Sequence, residues 1–156
     1  MAKHSGDSVE HAALAYLEAH TVLTLATHGP DGVWAAALFY ASRDFDLYFL
    51  SASHTRHGQN LAINKRAAGT IQENYHNWES VKGLQLEGEV TLLSGENEKQ
   101  AIKIYARKFP LIKEENGVIA TALEKVSWYH FRPDRLLMVD NSAGFGHRDE
   151  VNLIWR

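Results

Sequence analysis

Hydrophobic positions along the chain switch repeatedly between a helical period and a period of two. Residues 11–20 (HAALAYLEAH) carry Leu14 and Leu17 three apart on one face, with Ala13 and Tyr16 beside them, which predicts an amphipathic helix. Ala, Leu and Glu favour that conformation, and Asp7 or Ser8 is the expected N-cap. From residue 21 the period falls to two. Residues 21–27 (TVLTLAT) alternate with Leu23 and Leu25 on one face, and His28-Gly29-Pro30-Asp31-Gly32 follows as a turn. Asp-Gly supplies the positive φ that a hairpin needs. Residues 33–41 (VWAAALFYA) form the most apolar predicted strand, then a turn at residues 42–45, then a third strand at 46–51 (DLYFLS). The small side chains of Ala35, Ala36 and Ala37 either pack against a bulky neighbour or let a backbone or flat ligand come close.

A short helix at residues 55–63 comes next, then a fourth strand at 67–72 and a polar, aromatic loop at 73–80. A long strand covers 81–93 (VKGLQLEGEVTLL), in which Gly83 and Gly88 mark bulges or bends. A helix from Ser94-Gly95-Glu96 to Lys108 has an apolar stripe of Ala101, Ile102, Tyr105 and Phe109, and Pro110 stops it. Beyond a short helix near residues 118–123, residues 126–139 form a strand pair or one long strand bent at Pro133. Residues 140–148 (DNSAGFGHR) form a Gly-rich polar loop, and 151–156 a short apolar end. About six sequential strands with helices between them predict a mainly β (α+β) fold. The expected architecture is a six-stranded antiparallel split β-barrel with flanking helices, since closure removes sheet edges.

Composition narrows the classes. The 156 residues suit a single domain over 1–156, and 45 % hydrophobic with 22 % charged residues is ordinary for a globular protein. A formal charge of −3 gives no support for a nucleic-acid partner. The absence of cysteine excludes disulfides and thiolate chemistry. With no apolar signal core at residues 1–9 and no membrane-length apolar run, the expected compartment is the cytoplasm, with no membrane partner.

Candidate chemistry concentrates in residues 49–61 (FLSASHTRHGQNL), an apolar strand running through a Ser/Thr/Arg/His turn into a helix. Free N–H groups at a helix start and the positive end of its dipole attract phosphate, and Arg56 adds a bidentate donor. Two of the nine histidines, His54 and His57, stand three apart and offer an alternative metal or haem pair, with His147 as a third ligand. Trp78, Trp128 and Trp155 are expected in the core or at a dimer interface.

The order of hairpin, Phe-Tyr strand, FLSASHTRHGQNLAINKRAAGTI and VKGLQLEGEV resembles the FMN-binding split-barrel superfamily typified by pyridoxamine 5′-phosphate oxidase. Agreement covers about residues 17–88 and extends weakly to WYHFRPD at 128–134. Asp140-Asn141 with Gly144-Phe145-Gly146 resembles a poorly characterised bacterial branch of it. The resemblance implies FMN in a groove at a homodimer interface, with its phosphate held by Thr55, Arg56 and His57. His57 stands where the oxidase typically has lysine, and a neutral imidazole can still donate one hydrogen bond. The resemblance sets the ring along Ala37, Leu38, Phe39 and Tyr40 and along Leu50, Ser51 and Ala52. Lys82 and Gln85 are implied as polar contacts, and Asn141, Phe145 and Arg148 as closing residues. The oxidase's basic residues flanking strand two are absent, Ala36 and Ala41 being nearest. Met138-Val139-Asp140 replaces the aromatic that ends its last strand. The implied function is FMN-dependent oxidation or reduction of a small molecule other than pyridoxamine phosphate, with a reduced nicotinamide as one candidate donor. The alternatives are a non-catalytic haem- or flavin-binding barrel and a deazaflavin-dependent reductase.

Overall fold

The computed structural model describes residues 6–113 and 118–154. Helix α1 (Gly6–Ala19) leads into β1 (Val22–Gly29), β2 (Gly32–Phe39), β3 (Ala41–Arg43) and β4 (Asp46–Ser51). Helix α2 (Arg56–Ile63) is followed by β5 (Arg66–Gln72), β6 (Lys82–Leu92), α3 (Gly95–Lys108), α4 (Val118–Leu123), β7 (Ser127–Asp140) and β8 (Arg148–Glu150). Three 3₁₀ turns, Trp78–Ser80, Pro110–Lys113 and Asn141–Ala143, fill the connections.

The strands form one eight-stranded antiparallel sheet in the order β2-β1-β5-β6-β7-β4-β3, with β8 added to β7. Its two end strands, β2 and β3, are consecutive in the chain and separated by Tyr40 alone. The sheet must therefore curl until its ends nearly meet, which is the split barrel. Tyr40 is the seam. Its amide donates to Thr21 O at 3.0 Å, and its buried hydroxyl donates to Leu17 O at 2.9 Å. This corner is why the expected single strand at 33–41 is two strands, and β8 raises the number to eight.

Alternation sets the core. Leu23, Leu25, Leu47, Phe49, Ile71, Leu84, Phe131 and Leu136 point inward and are fully buried or nearly so. Each such side chain contributes about 1.5–3 kcal/mol relative to exposure. The opposite face of β4 and β7 packs under α3, where Ala41, Tyr48, Ala101, Ile104, Tyr105 and Trp128 form a second cluster. The buried stripe of α3 thus runs through Ile104 and Ala106, while the expected Ile102 and Phe109 are only partly covered. Asp7 and Ser8 are themselves helical within α1, so neither is its N-cap.

β7 is one strand of 14 residues. Its ladder with β6 shifts register between Glu87 and Gly88, opposite Pro133, which has no N–H to give. A Cβ on Gly88 would lie 2.1 Å from Arg132 O, so only glycine fits. Gly83 sits in regular register; there the glycine serves a close approach, 2.8 Å from its virtual Cβ to Ile71 O.

Candidate functional site

β4 ends at Ser51 and delivers the chain to the start of α2. Thr55 is the N-cap, with extended φ −65° and ψ 153°. Its hydroxyl donates to Ala52 O at 2.8 Å and accepts from Gly58 N at 3.1 Å. The amides of Arg56 and His57, at the first two helical positions, have no acceptor within the helix. Buried Asn60 fixes α2 against the barrel by donating to Thr27 Oγ1 at 3.1 Å. Gly29 makes room for it: a Cβ there would lie 2.0 Å from Asn60 Oδ1.

Arg56 is held on two sides. Its Nη2 donates to Asp31 O at 2.8 Å, and its guanidinium carbon lies 4.6 Å from the centre of the Trp34 ring. Its Nε is buried without a partner. A buried charged donor left unpaired is costly, so this N–H is a place for an acceptor from outside the chain. The helix-start amides and Arg56 Nε are donors of the kind an oxyanion such as a phosphate takes.

His57 behaves differently from the expectation. Its ring is 7 % exposed, and Nε2 lies 2.6 Å from Ser51 Oγ. Burial pushes its pKa below the usual imidazole value, so the ring is neutral and turned into the protein. Nε2 of His57 is thus taken by the buried hydrogen bond with Ser51, which leaves only Nδ1 for the implied contact with a phosphate. Thr55 has likewise spent its only proton on Ala52 O. The metal pairing of His54 with His57 fails for the same reason: His57 is committed inward while His54 is exposed. His147 is paired with Asp149 at 2.8 Å, and no group of three metal-ligating side chains occurs among the described residues.

The implied ring contacts divide by face. Ala37 and Phe39 lie on the outer face of edge strand β2, Phe39 being 59 % exposed. Leu38 packs against the core and Tyr40 is fully buried, so neither side chain faces outward. Leu50 packs towards α3, Ser51 is buried and Ala52 is half-buried. Outward-facing Ala35 and Ala37 sit beside Ala26 and Thr24 of β1, which sit beside Ala68 and Thr70 of β5. These small residues make a flat floor, and a depression of about 320 Å³ over its Thr24, Ala26, Ala68 and Thr70 part reaches Gln85, Glu87 and Leu137. Nothing within the described chain covers Ala35 or Ala37.

Lys82, Gln85, Asn141, Phe145 and Arg148 come together across the sheet, lining a groove of about 330 Å³ with Thr70 and Gln72. Arg148 Nε donates to Gln85 Oε1 at 3.0 Å, and Lys82 Nζ lies 3.5 Å from Asp140. Asn141 ties two loops together, donating to Trp78 O at 2.7 Å and accepting from Gly146 N at 3.2 Å. Trp78 and Phe145 meet edge to face, 4.4 Å between centroids, and both are exposed. Trp78 is thus a surface residue of the chain, Trp128 is core, and Trp155 lies outside the described residues. Among the described residues no hydrogen bond or ion pair joins this group to Arg56. The sequence reading missed Asp31 and Trp34. Alternation along β2 would have put Trp34 on the inward face with Leu38, but nothing local says that this end of the hairpin meets α2.

The curled antiparallel sheet with a helix-start oxyanion site defines a split-barrel protein. A profile of the pyridoxamine 5′-phosphate oxidase family matches residues 9–140, and the chain belongs to that family. A UPF0306 protein of Photorhabdus laumondii is 35 % identical over 135 residues, covering 85 % of this chain and 88 % of the relative. Among solved structures, a haem-binding protein of Mycobacterium smegmatis superposes with a TM-score of 0.71 at 21 % identity, covering 99 % of this chain and 60 % of that one. The haem storage protein HutZ of Vibrio cholerae superposes with a TM-score of 0.65 at 16 % identity, covering 82 % and 92 %. At such identities the likeness is one of fold. No helix among the described residues is long and apolar enough to cross a membrane.

Proposed function

We propose that the protein is an FMN-binding oxidoreductase that works as a homodimer on a small molecule other than pyridoxamine phosphate, with a reduced nicotinamide as donor. The observation that carries this reading is Arg56, clamped by Asp31 O and Trp34 at the start of α2 with Nε buried and unpartnered. The uncovered Ala/Thr floor supports the dimer. In this reading a second copy lies on the floor and its Lys82, Gln85 and Arg148 groove completes the site at Arg56 of the first. When bound, FMN supplies the hydride or electron transfer. The chain's own part is to hold the phosphate through Arg56 and the α2 amides, to leave a flat wall for the ring at Ala37, and to exclude water by closing Asn141 and Phe145 over the groove.

The commitment of His57 to Ser51 favours flavin over a haem held by His54 and His57. The test is the visible spectrum of the purified protein followed by mass identification of the released cofactor. Flavin bands with the mass of FMN are expected. A Soret band, a deazaflavin mass, or a colourless protein that does not bind added FMN would each overturn the proposal.

A further inference from the structure

A cavity of about 240 Å³ lies between the last turns of α1 and α3 and the short strand β3. Its walls carry Arg43, Arg107 and Lys108 against a single carboxylate, Glu18. That leaves a net charge of two positive in a chain whose formal charge is −3. It shares no residue with the Arg56 site or with the Lys82 groove.

The three cations are held differently. Lys108 Nζ donates to Leu17 O at 3.0 Å and to His20 O, and lies 4.5 Å from the centre of the Tyr40 ring. These contacts fix the ammonium at the C-terminal end of α1 and leave one of its three N–H groups for a further acceptor. Burial draws its pKa down while Glu18 pushes it up, as expected for a partly desolvated cation with one acid nearby. Arg43 Nη2 donates to Tyr48 Oη at 3.3 Å, and the rest of its fork is open to an acceptor. The Arg107 guanidinium makes no hydrogen bond or ion pair with another described residue. The half-buried hydroxyl of Ser42 adds a neutral donor on the same wall. Two guanidinium forks, an anchored ammonium and a hydroxyl converging on one enclosed space match an oxyanion with several acceptor oxygens.

We infer that this cavity, walled by Ser42, Arg43, Arg107 and Lys108, is a second anion site that takes the phosphate group of a small phosphorylated molecule, separate from the flavin half-sites. Glu18 sets its affinity from the other wall by opposing the anion, so its removal strengthens binding.

The test titrates inorganic phosphate into the Arg56→Ala protein, which removes the charged side chain of the other phosphate site. Amide resonances of residues 41–43 and 104–108 and the arginine Nε–H signals are followed. Saturable shifts confined to these residues are expected. Adding Arg107→Ala weakens binding at least about tenfold, a lost charge-assisted pair. Adding Glu18→Gln tightens it about fivefold, the screened repulsion of one charge. Succinate binds more weakly than phosphate. Sheet amides unchanged across the variants show that each is folded. Linear, non-saturating shifts, an Arg107→Ala protein that binds as before, an affinity unmoved or lowered by Glu18→Gln, or succinate binding more tightly would each overturn the inference.

Discussion

Ser51 Oγ and His57 Nε2 lie 2.6 Å apart, with each side chain more than nine-tenths buried. The pair locks the end of β4 to the first turn of α2. Burial lowers the His57 pKa in the folded state, so the unfolded chain binds its proton more readily. Stability from this residue is complete above the unfolded value of about 6.5 and is lost as pH falls below it towards the folded value. The slope cannot exceed about 1.4 kcal/mol per pH unit for one proton. Urea unfolding between pH 7 and pH 5 measures it. Wild type should lose stability more steeply than His57→Gln, which keeps a partner for Ser51 and has nothing to titrate. Parallel curves would refute this role.

Arg56→Ala should weaken FMN retention by about tenfold or more, since a hydrogen bond to a charged group is worth about 1.5–3 kcal/mol. Arg56→Lys should recover only part of it, because a point charge cannot reproduce the fork held between Trp34 and Asp31 O. Fluorescence titration with FMN reads both, and thermal unfolding should show only the modest loss of the contacts with Asp31 O and Trp34, about 1–2 kcal/mol.

Gly88→Ala should cost about 3 kcal/mol or more, because its Cβ would meet Arg132 O at 2.1 Å within the bulge. Gly32→Ala is the contrast: φ is +95° but nothing lies within 4 Å, so the cost is that of backbone strain alone, about 1 kcal/mol. Chemical denaturation that ranks the two the other way would contradict the bulge.

Tyr40→Phe removes only the hydroxyl that donates to Leu17 O and should cost about 0.5–1.5 kcal/mol, since Lys108 Nζ still donates to that carbonyl. Tyr40→Ala should cost about 3–5 kcal/mol by opening a cavity at the seam. Burial holds the phenol far above its ordinary pKa, so mild alkali should leave Tyr40 un-ionised in an absorbance titration.

Ala37→Arg places a long cation in the middle of the small-residue floor, an exposed position of the single chain. Its stability should therefore stay within about 0.5 kcal/mol of wild type. Sedimentation should show a monomer that has lost FMN. An unchanged dimer would place the interface elsewhere.

The barrel was legible because its signals are local. Alternation at Leu23 and Leu25, Asp31-Gly32 in the turn, and Gly88 opposite Pro133 each act over a few residues. The break at Tyr40 was hidden, since Phe39, Tyr40 and Ala41 continue an apolar run and only the curl of the sheet assigns them to opposite ends. At the turn, the start of α2 behind Thr55 and the place of Arg56 in its first turn follow from the strand-to-helix pattern. The inward turn of His57 does not, because it depends on Ser51 reaching the same interior face. The clamp on Arg56 depends on residues more than twenty positions earlier in the chain.

β7 pairs with β6 along its length, with β4 through residues 127–131, and with β8 near its end. Among the described residues it is the only strand that connects β2-β1-β5-β6 to β4-β3, and it is made late. During synthesis those two pieces must wait, each with an open flank, until about residue 140 has left the ribosome. Closing the sheet then requires contacts between residues 46–51 and 127–131, a long loop that makes refolding slow for a chain of this size. A nascent chain stopped before residue 127 would leave the inner faces of β4 and β6 uncovered and be a ready client for chaperones.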